Sequence, residues 1–347
     1  MSKNQNNPTA GKPTKATRTG VILAICAALA LWGLWQSKKY LAQYNGPTAW
    51  VYIPAGASQQ AVGDSLRSSL GASFGNKVAA LWSGNTAAAR GAYKITPGER
   101  AWRVARRISR NQQDPVKLTF NNMRTVNDLA SRLGSRLDFK ASDFINAIDS
   151  IADAEKISTD TFPVFFLPDT YEVFWATSPE ALIAKLRAQY NRFWTPERRQ
   201  KAASLRLTPA QVAIVASIAE EETANAAERG IIGRLYINRL HKHMKLQADP
   251  TVKFASGNFA ARRITGPMLK IESPYNTYRV DGLPPGPIRL ASPATINAVL
   301  DSQPHDYIYM CAKADFSGTH AFARDYATHM TNARAYHRAL NQRNIHK

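Results

Sequence analysis

The residues best suited to chemistry are three consecutive carboxylates, Glu220, Glu221 and Glu222, which close the apolar run VAIVASIA from Val212 to Ala219. The preceding residues dictate a helix. Thr208 can cap it, Pro209 fits the first helical position, and Gln211 completes a capping box. The helix is apolar nearly all round for its first ten residues, so it belongs in a core. At about 3.6 residues per turn, three successive acids fan over about 200° and cannot all face water. Glu222 lies over Ile218 and Ala219; Glu221 lies over Ile214, Ser217 and Ile218. At least one carboxylate therefore ends in an apolar setting, and periodicity does not choose which. Desolvation raises the pKa of such a group. It can then hold a proton near neutral pH and donate it to a leaving oxygen, as cleavage of a sugar chain requires. The competing reading is structural: the acids end the apolar stretch and pair with Arg229 and Arg234.

The segments that follow suit a saccharide. A second helix is predicted over Gly233 to Leu240, ending at His241-Lys242-His243. Then come KLQADPTV from Lys245 to Val252, SPYNTYR from Ser273 to Arg279, and GLPPGPI from Gly282 to Ile288. Amides, hydroxyls, tyrosines and one carboxylate sit between rigid Pro/Gly turns. Sugar hydroxyls take paired hydrogen bonds, and the apolar faces of sugar rings lie on aromatics. Other chemistries lack their motifs. His241, His243, Asp249, His305, His320 and His329 have no H-E-x-x-H or comparable spacing, so no metal is expected. No S-x-x-K or Gly-rich phosphate loop occurs, and no cofactor is expected.

Upstream, the elements that carry this region begin with GVILAICAALALWGLW, Gly20 to Trp35. Gln36 and Ser37 extend the run toward the ~20 residues that span a bilayer. Trp32 and Trp35 suit an aromatic belt, and Lys38 and Lys39 can snorkel to the interface. Lys3, Lys12, Lys15 and Arg18 precede the run, and the first acid of the chain is Asp64. Positive charge before the span predicts a cytoplasmic N-terminus and an exported remainder. Gln-Ser-Lys-Lys-Tyr-Leu after the run offers no small-x-small site, which favours an uncleaved anchor over a signal peptide.

Three strand–turn–helix pieces follow a stalk over 38–48. They start at Trp50–Pro54, Ala92–Ile95 and Val116–Phe120, with helices around Ala61–Leu70, Trp102–Ile108 and Val126–Leu133. Arg100, Arg103, Arg106, Arg107 and Arg110 line the second helix; a solvated face is the default reading, with contact to a wall polymer the alternative. Residues 140–205 read as mainly helical, broken near Phe165 to Tyr171 by Pro168.

The chain has 347 residues, 44% hydrophobic and 20% charged, with a net charge of +20. That balance favours an anionic setting, whether acidic lipid, wall polymer or nucleic acid. The basic residues are spread along the chain, with no Lys/Arg block, and no nucleic-acid partner is expected. The two cysteines, Cys26 and Cys311, cannot pair if the first lies in lipid, and Cys311 reads as a buried apolar residue.

Taken together in this order, SIAEEET, INRL, MKLQADPTV, SPYNTY and GLPPGPI, with PDTY at 168–171, resemble the YceG/MltG family of endolytic murein transglycosylases over about residues 45–340. The resemblance implies an α+β protein: a cytoplasmic tail (1–19), a single transmembrane helix (20–37), a stalk (38–48), a small LysM-like βα region (49–138) and a mixed α+β catalytic domain (139–345). It implies a bacterial inner-membrane protein whose catalytic domain lies outside the cytoplasm. It implies cleavage of the MurNAc–GlcNAc β-1,4 bond of nascent peptidoglycan strands, leaving a 1,6-anhydro-MurNAc end, beside penicillin-binding protein synthases. The family's catalytic acid falls on Glu222, the second acid of E-x-E-T. Glu220 matches the first acid, and Gln247, Asp249, Asn276 and Tyr278 are implied to hold sugars or orient Glu222. Glu221 departs from the family's usual basic residue, and Asn121-Asn122 stands where relatives often carry Glu-Gly. A non-catalytic, membrane-anchored wall-binding or scaffold protein is the alternative.

Overall fold

The computed structural model describes residues 15–121, 123–261 and 263–343. Most of the expected tail, with Lys3 and Lys12, lies outside the described residues, as does Asn122 of the third turn. The chain divides into two compact units, Met1–Pro115 and Val116–Lys347.

The first unit opens with helix α1, Lys15–Tyr40, whose segment Gly20–Tyr40 is long and apolar enough to cross a membrane and is not buried by the protein. Strand β1 (Ala49–Ile53) and helices α2 (Gln59–Leu70), α3 (Ala72–Leu81) and α4 (Thr86–Ala89) precede β2 (Gly91–Ile95) and α5 (Ala101–Ser109). The first two expected strands pair with each other, antiparallel, with Val51 opposite Tyr93. Val51 and Ile53 point into the core and Tyr52 outward, as the period of two requires. Ala101, Val104, Ala105 and Ile108 are the buried stripe of α5. Arg100, Arg103, Arg106 and Arg110 are exposed. Arg107 departs from that row: its guanidinium bonds Glu99 at 3.0 Å, Asp114, and the Lys94 carbonyl at 3.1 Å.

The second unit takes in the third strand–helix piece, which the sequence grouped with the first two. Strand β3 (Pro115–Phe120) pairs with β4 (Asp169–Phe174). Its Leu118 and Phe120, with Leu129 and Leu133 of α6 (Val126–Gly134), share a core with Phe144, Phe162, Phe166 and Leu182. The piece alone has one apolar face to cover, and α7 (Ala141–Glu155), a 3-10 turn (Phe162–Phe165) and α8 (Pro179–Phe193) cover it. The two compact units meet at Pro115/Val116, whereas the sequence places the start of the catalytic domain at 139.

Beyond α9 (Pro196–Ser204) runs α10, Pro209–Glu222, with the expected capping box of Thr208 and Gln211. Every residue from Val212 to Glu220 is buried. A 3-10 turn (Ala226–Glu228) leads to α11 (Arg229–His241), followed by α12 (Asp249–Ser256), α13 (Gly266–Leu269) and α14 (Pro293–Leu300). Helices α9, α11, α12 and α14 pack around α10. Gly233 lets α11 approach α14 closely, since a Cβ there would meet Val299 Cγ2 at 2.6 Å. The chain closes with an antiparallel ribbon of β5 (Tyr309–Ala312) and β6 (His320–Ala323), backed by α15 (Tyr326–Gln342). The class is α+β, and among the described residues the strands form three separate two-stranded ribbons.

Candidate active site

The three adjacent glutamates part company at the end of α10. Glu220 is buried, and its Oε2 accepts from the Ser292 backbone N–H at 2.9 Å and the Ser292 hydroxyl at 3.1 Å. Arg229 lies 3.5 Å from its other oxygen. Glu220 therefore fastens the start of α14 to α10. Glu221 pairs with Arg289 at 2.8 Å and Arg124 at 3.3 Å. Glu222 turns the third way, into a cleft of about 370 Å³. Helical geometry separates the three by about 100° each, which sends two to structural arginines and one to open space. The structural reading of the acids thus applies to Glu220 and Glu221, while Glu222 is left facing the cleft.

Glu222 is enclosed by protein yet keeps part of its surface open to the cleft. Its Oε1 accepts a hydrogen bond of 2.5 Å from the Tyr236 hydroxyl. Burial pushes the Glu222 carboxyl up to about 7; the bond from Tyr236 opposes that rise and the charge of Asp249 adds to it. Tyr236 is itself buried, and burial, then the charge of Glu222, lifts its hydroxyl well above the ordinary range. It stays a donor, as a buried phenol must find a partner.

Gln247, Asp249 and Tyr278 line the same cleft. Tyr278 donates to Asp249 Oδ1 at 2.7 Å. Gln247 accepts from Arg239 Nη2 at 2.7 Å and adopts a left-handed backbone, φ +51°. Such a conformation costs a non-glycine residue free energy and is held here by its surroundings. Its N–H bonds the Thr277 carbonyl at 3.1 Å, while Ala248 N–H bonds Thr277 Oγ1 at 3.0 Å. Arg239 completes the clamp with bonds to the carbonyls of Lys245 (2.9 Å) and Ile308 (2.8 Å).

Glu220 and Asn276 do not line the cleft. Asn276 is fully buried; its amide donates to the carbonyls of Leu269 (3.0 Å) and Ile271 (2.9 Å), and its Oδ1 accepts from the Tyr278 N–H at 3.2 Å. It shapes the turn that presents Tyr278. GLPPGPI lies outside this cleft as well. Ile288 N–H bonds Ser217 Oγ of α10 at 3.1 Å. A Cβ on Gly286 would lie 1.8 Å from the Asp160 carbonyl oxygen, so only glycine fits.

The remaining walls come from residues the sequence reading did not place there. Tyr236 and Arg239 lie three apart on α11, and that spacing on one helix face was the available signal. The ribbon β5–β6 contributes Tyr309, Met310 and His320. His320, weighed in the sequence only as a metal ligand, donates its backbone N–H to Glu228 at 2.8 Å, and its Nδ1 lies 2.9 Å from the same carboxylate. Burial alone would raise the Glu228 carboxyl, but the bonds from His320 outweigh it and hold it below its ordinary range.

The sequence family described as YceG-like matches residues 51–335, most of the chain. The chain belongs to the YceG-like family. An endolytic murein transglycosylase from Bacillus subtilis (strain 168) is 37% identical over 142 residues, covering 40% of this chain and 38% of the relative. An endolytic murein transglycosylase from Streptococcus pneumoniae serotype 2 (strain D39 / NCTC 7466) is 29% identical over 152 residues, 43% of this chain and 27% of its own length. The matched part thus spans well under half of these relatives. The crystal structure of a yceG-like protein from Listeria monocytogenes superposes with a TM-score of 0.53 at 23% identity, covering 82% of this chain and 98% of that one, and so shares the YceG-like fold.

Proposed function

We propose that this protein is a membrane-anchored endolytic peptidoglycan transglycosylase, with Glu222 as its acid and base. The observation that carries this reading is the Glu222 carboxyl, desolvated and hydrogen-bonded by Tyr236, facing a polar cleft lined by tyrosines. Membership of the YceG-like family and the names of the two relatives support the substrate class.

In the proposed reaction Glu222 donates its proton to the glycosidic oxygen, and the bond from that oxygen to C1 of the MurNAc ring breaks. The resulting carboxylate takes the proton from the C6 hydroxyl of the same ring. O6 then bonds to C1, closing the 1,6-anhydro ring and restoring Glu222. No water enters. Tyr236 steadies the carboxylate when it is charged. Gln247, Asp249 and Tyr278 hold sugar hydroxyls, with Arg239 and Asn276 keeping their loops in place.

Residues 20–37 are proposed as the anchor, with the N-terminus in the cytoplasm and the second unit outside it. The first unit, two helices and a short third between antiparallel strands, supports a LysM-like wall-binding role. Cutting nascent strands beside penicillin-binding protein synthases would end their elongation.

The test is digestion of purified, uncrosslinked glycan strands followed by analysis of the new ends. Internal cuts bearing 1,6-anhydro-MurNAc are expected. Reducing ends would overturn the lytic step in favour of hydrolysis, for which Asp249 offers a second carboxylate in the cleft. No cuts at all would favour the non-catalytic scaffold.

A further inference from the structure

The exposed arginines of α5 form a surface that the proposed reaction does not use. By helical spacing, Arg100, Arg103, Arg106 and Arg110 fall within an arc of about 120°, opposite the buried Ala101, Val104 and Ile108. Trp102 flanks them, half-exposed, with Arg103 over its ring at 5.7 Å. The acids of this unit do not offset the stripe. Between residues 38 and 115 there are eleven Lys and Arg but only Asp64, Glu99 and Asp114. Asp64 bonds Arg67, while Glu99 and Asp114 both bond Arg107.

The position of α5 gives this charge a partner. Helix α5 packs against α1, of which residues 20–35 are exposed throughout. Just past the end of α1, the Ala42 carbonyl accepts the Ala101 N–H at 2.9 Å, and Tyr44 N–H bonds the Glu99 carbonyl at 2.9 Å. The first turn of α5 is thus tied two residues beyond Tyr40. From Trp35, where the apolar run ends, to Tyr40 the helix rises only about 8 Å. Lys39 sits over the Trp35 ring at 4.0 Å, the arrangement of an interfacial anchor. Arginine side chains starting this near a bilayer surface reach within a Debye length of about 8–10 Å.

We infer that the arginine face of α5 docks on anionic phospholipid headgroups of the leaflet from which α1 emerges, fixing the first unit against the membrane. This rests on α1 being a membrane anchor. A wall polymer on the same face is the rival occupant, but the first turn of α5 is bonded just past the end of α1, and the stripe carries a single flanking aromatic, Trp102.

The test places the full chain in nanodiscs of phosphatidylcholine, with or without phosphatidylglycerol, and follows amide hydrogen exchange over residues 100–110. Each basic side chain near an anionic surface is worth a factor of about five. Exchange should slow by roughly tenfold or more in the phosphatidylglycerol discs, with the effect removed by high salt. Replacing Arg100, Arg103, Arg106 and Arg110 together by Gln should abolish it; Arg107 stays because it holds Glu99 and Asp114. Equal exchange in the two kinds of disc, with the chain stably inserted, would overturn the docking surface and leave the anchor standing. Failure of the chain to enter discs at all would overturn both. Protection gained instead on adding glycan strands to phosphatidylcholine discs would hand the face to the polymer.

Discussion

Replacing Glu222 with Gln lowers the rate of glycan cleavage by about 10³-fold or more, within the range for loss of a general acid–base group. The substitution changes little else. An amide oxygen at the same position can still accept the 2.5 Å bond from Tyr236, and the two neighbouring acids keep their arginines and Ser292. What is lost is the proton for the glycosidic oxygen and the base for the C6 hydroxyl. Both half-steps depend on the one group, so neither is spared. The comparison uses the same purified strands, with glycan binding measured alongside to show that the cleft still takes substrate. Cleavage by Glu222→Gln at the wild-type rate would remove this residue from the chemistry.

The same substitution stabilises the protein, and increasingly so as pH rises. Burial lifts the Glu222 carboxyl from 4.5 to about 7 in the folded chain. Below 4.5 the group is neutral both folded and unfolded, and its contribution is fully present. Between 4.5 and about 7 the unfolded chain ionises first, so wild-type stability falls as pH rises. The loss levels off above about 7, at an upper bound of about 3 kcal/mol, reduced by the part of the carboxyl that water reaches. Gln carries no such loss. Its Tm should match the wild type near pH 4 and exceed it at pH 8 by several degrees, on the order of 5 °C for a unit this size. Thermal unfolding at the two pH values checks this, and a gap indifferent to pH would place Glu222 in a well-solvated setting. Such an exchange of stability for activity is common at catalytic sites.

The part of this site that could be read from the sequence is local in the chain. Helix α10, its cap and the divergence of Glu220, Glu221 and Glu222 follow from spacing alone, because each depends on residues within four positions. The loop that carries Gln247 and Asp249 and the turn that carries Tyr278 were also recognisable as cleft material. Their connection was not, since Thr277 joins them through hydrogen bonds whose partners lie about thirty residues apart. His320 and Glu228 meet across ninety-two positions, and no periodicity reports such a pair. Asn276 shows the converse limit. A polar residue between two tyrosines looks like a sugar ligand, yet its side chain is consumed by its own turn. The grouping of β3 and α6 with the second unit had the same cause: a strand and helix with one apolar face do not say which core will cover it.

The central claim is that one proton resides on Glu222 at neutral pH and that its loss ends activity. The direct measurement is the pH dependence of kcat/KM on glycan strands for the wild type and for Tyr236→Phe. The wild type should lose activity as pH rises through about 7. Removing the Tyr236 hydroxyl takes away the bond that favours the charged form, so the falling limb should move to higher pH. A wild-type rate unchanged from pH 6 to pH 8, or a limb that stays in place without the hydroxyl, would contradict the account.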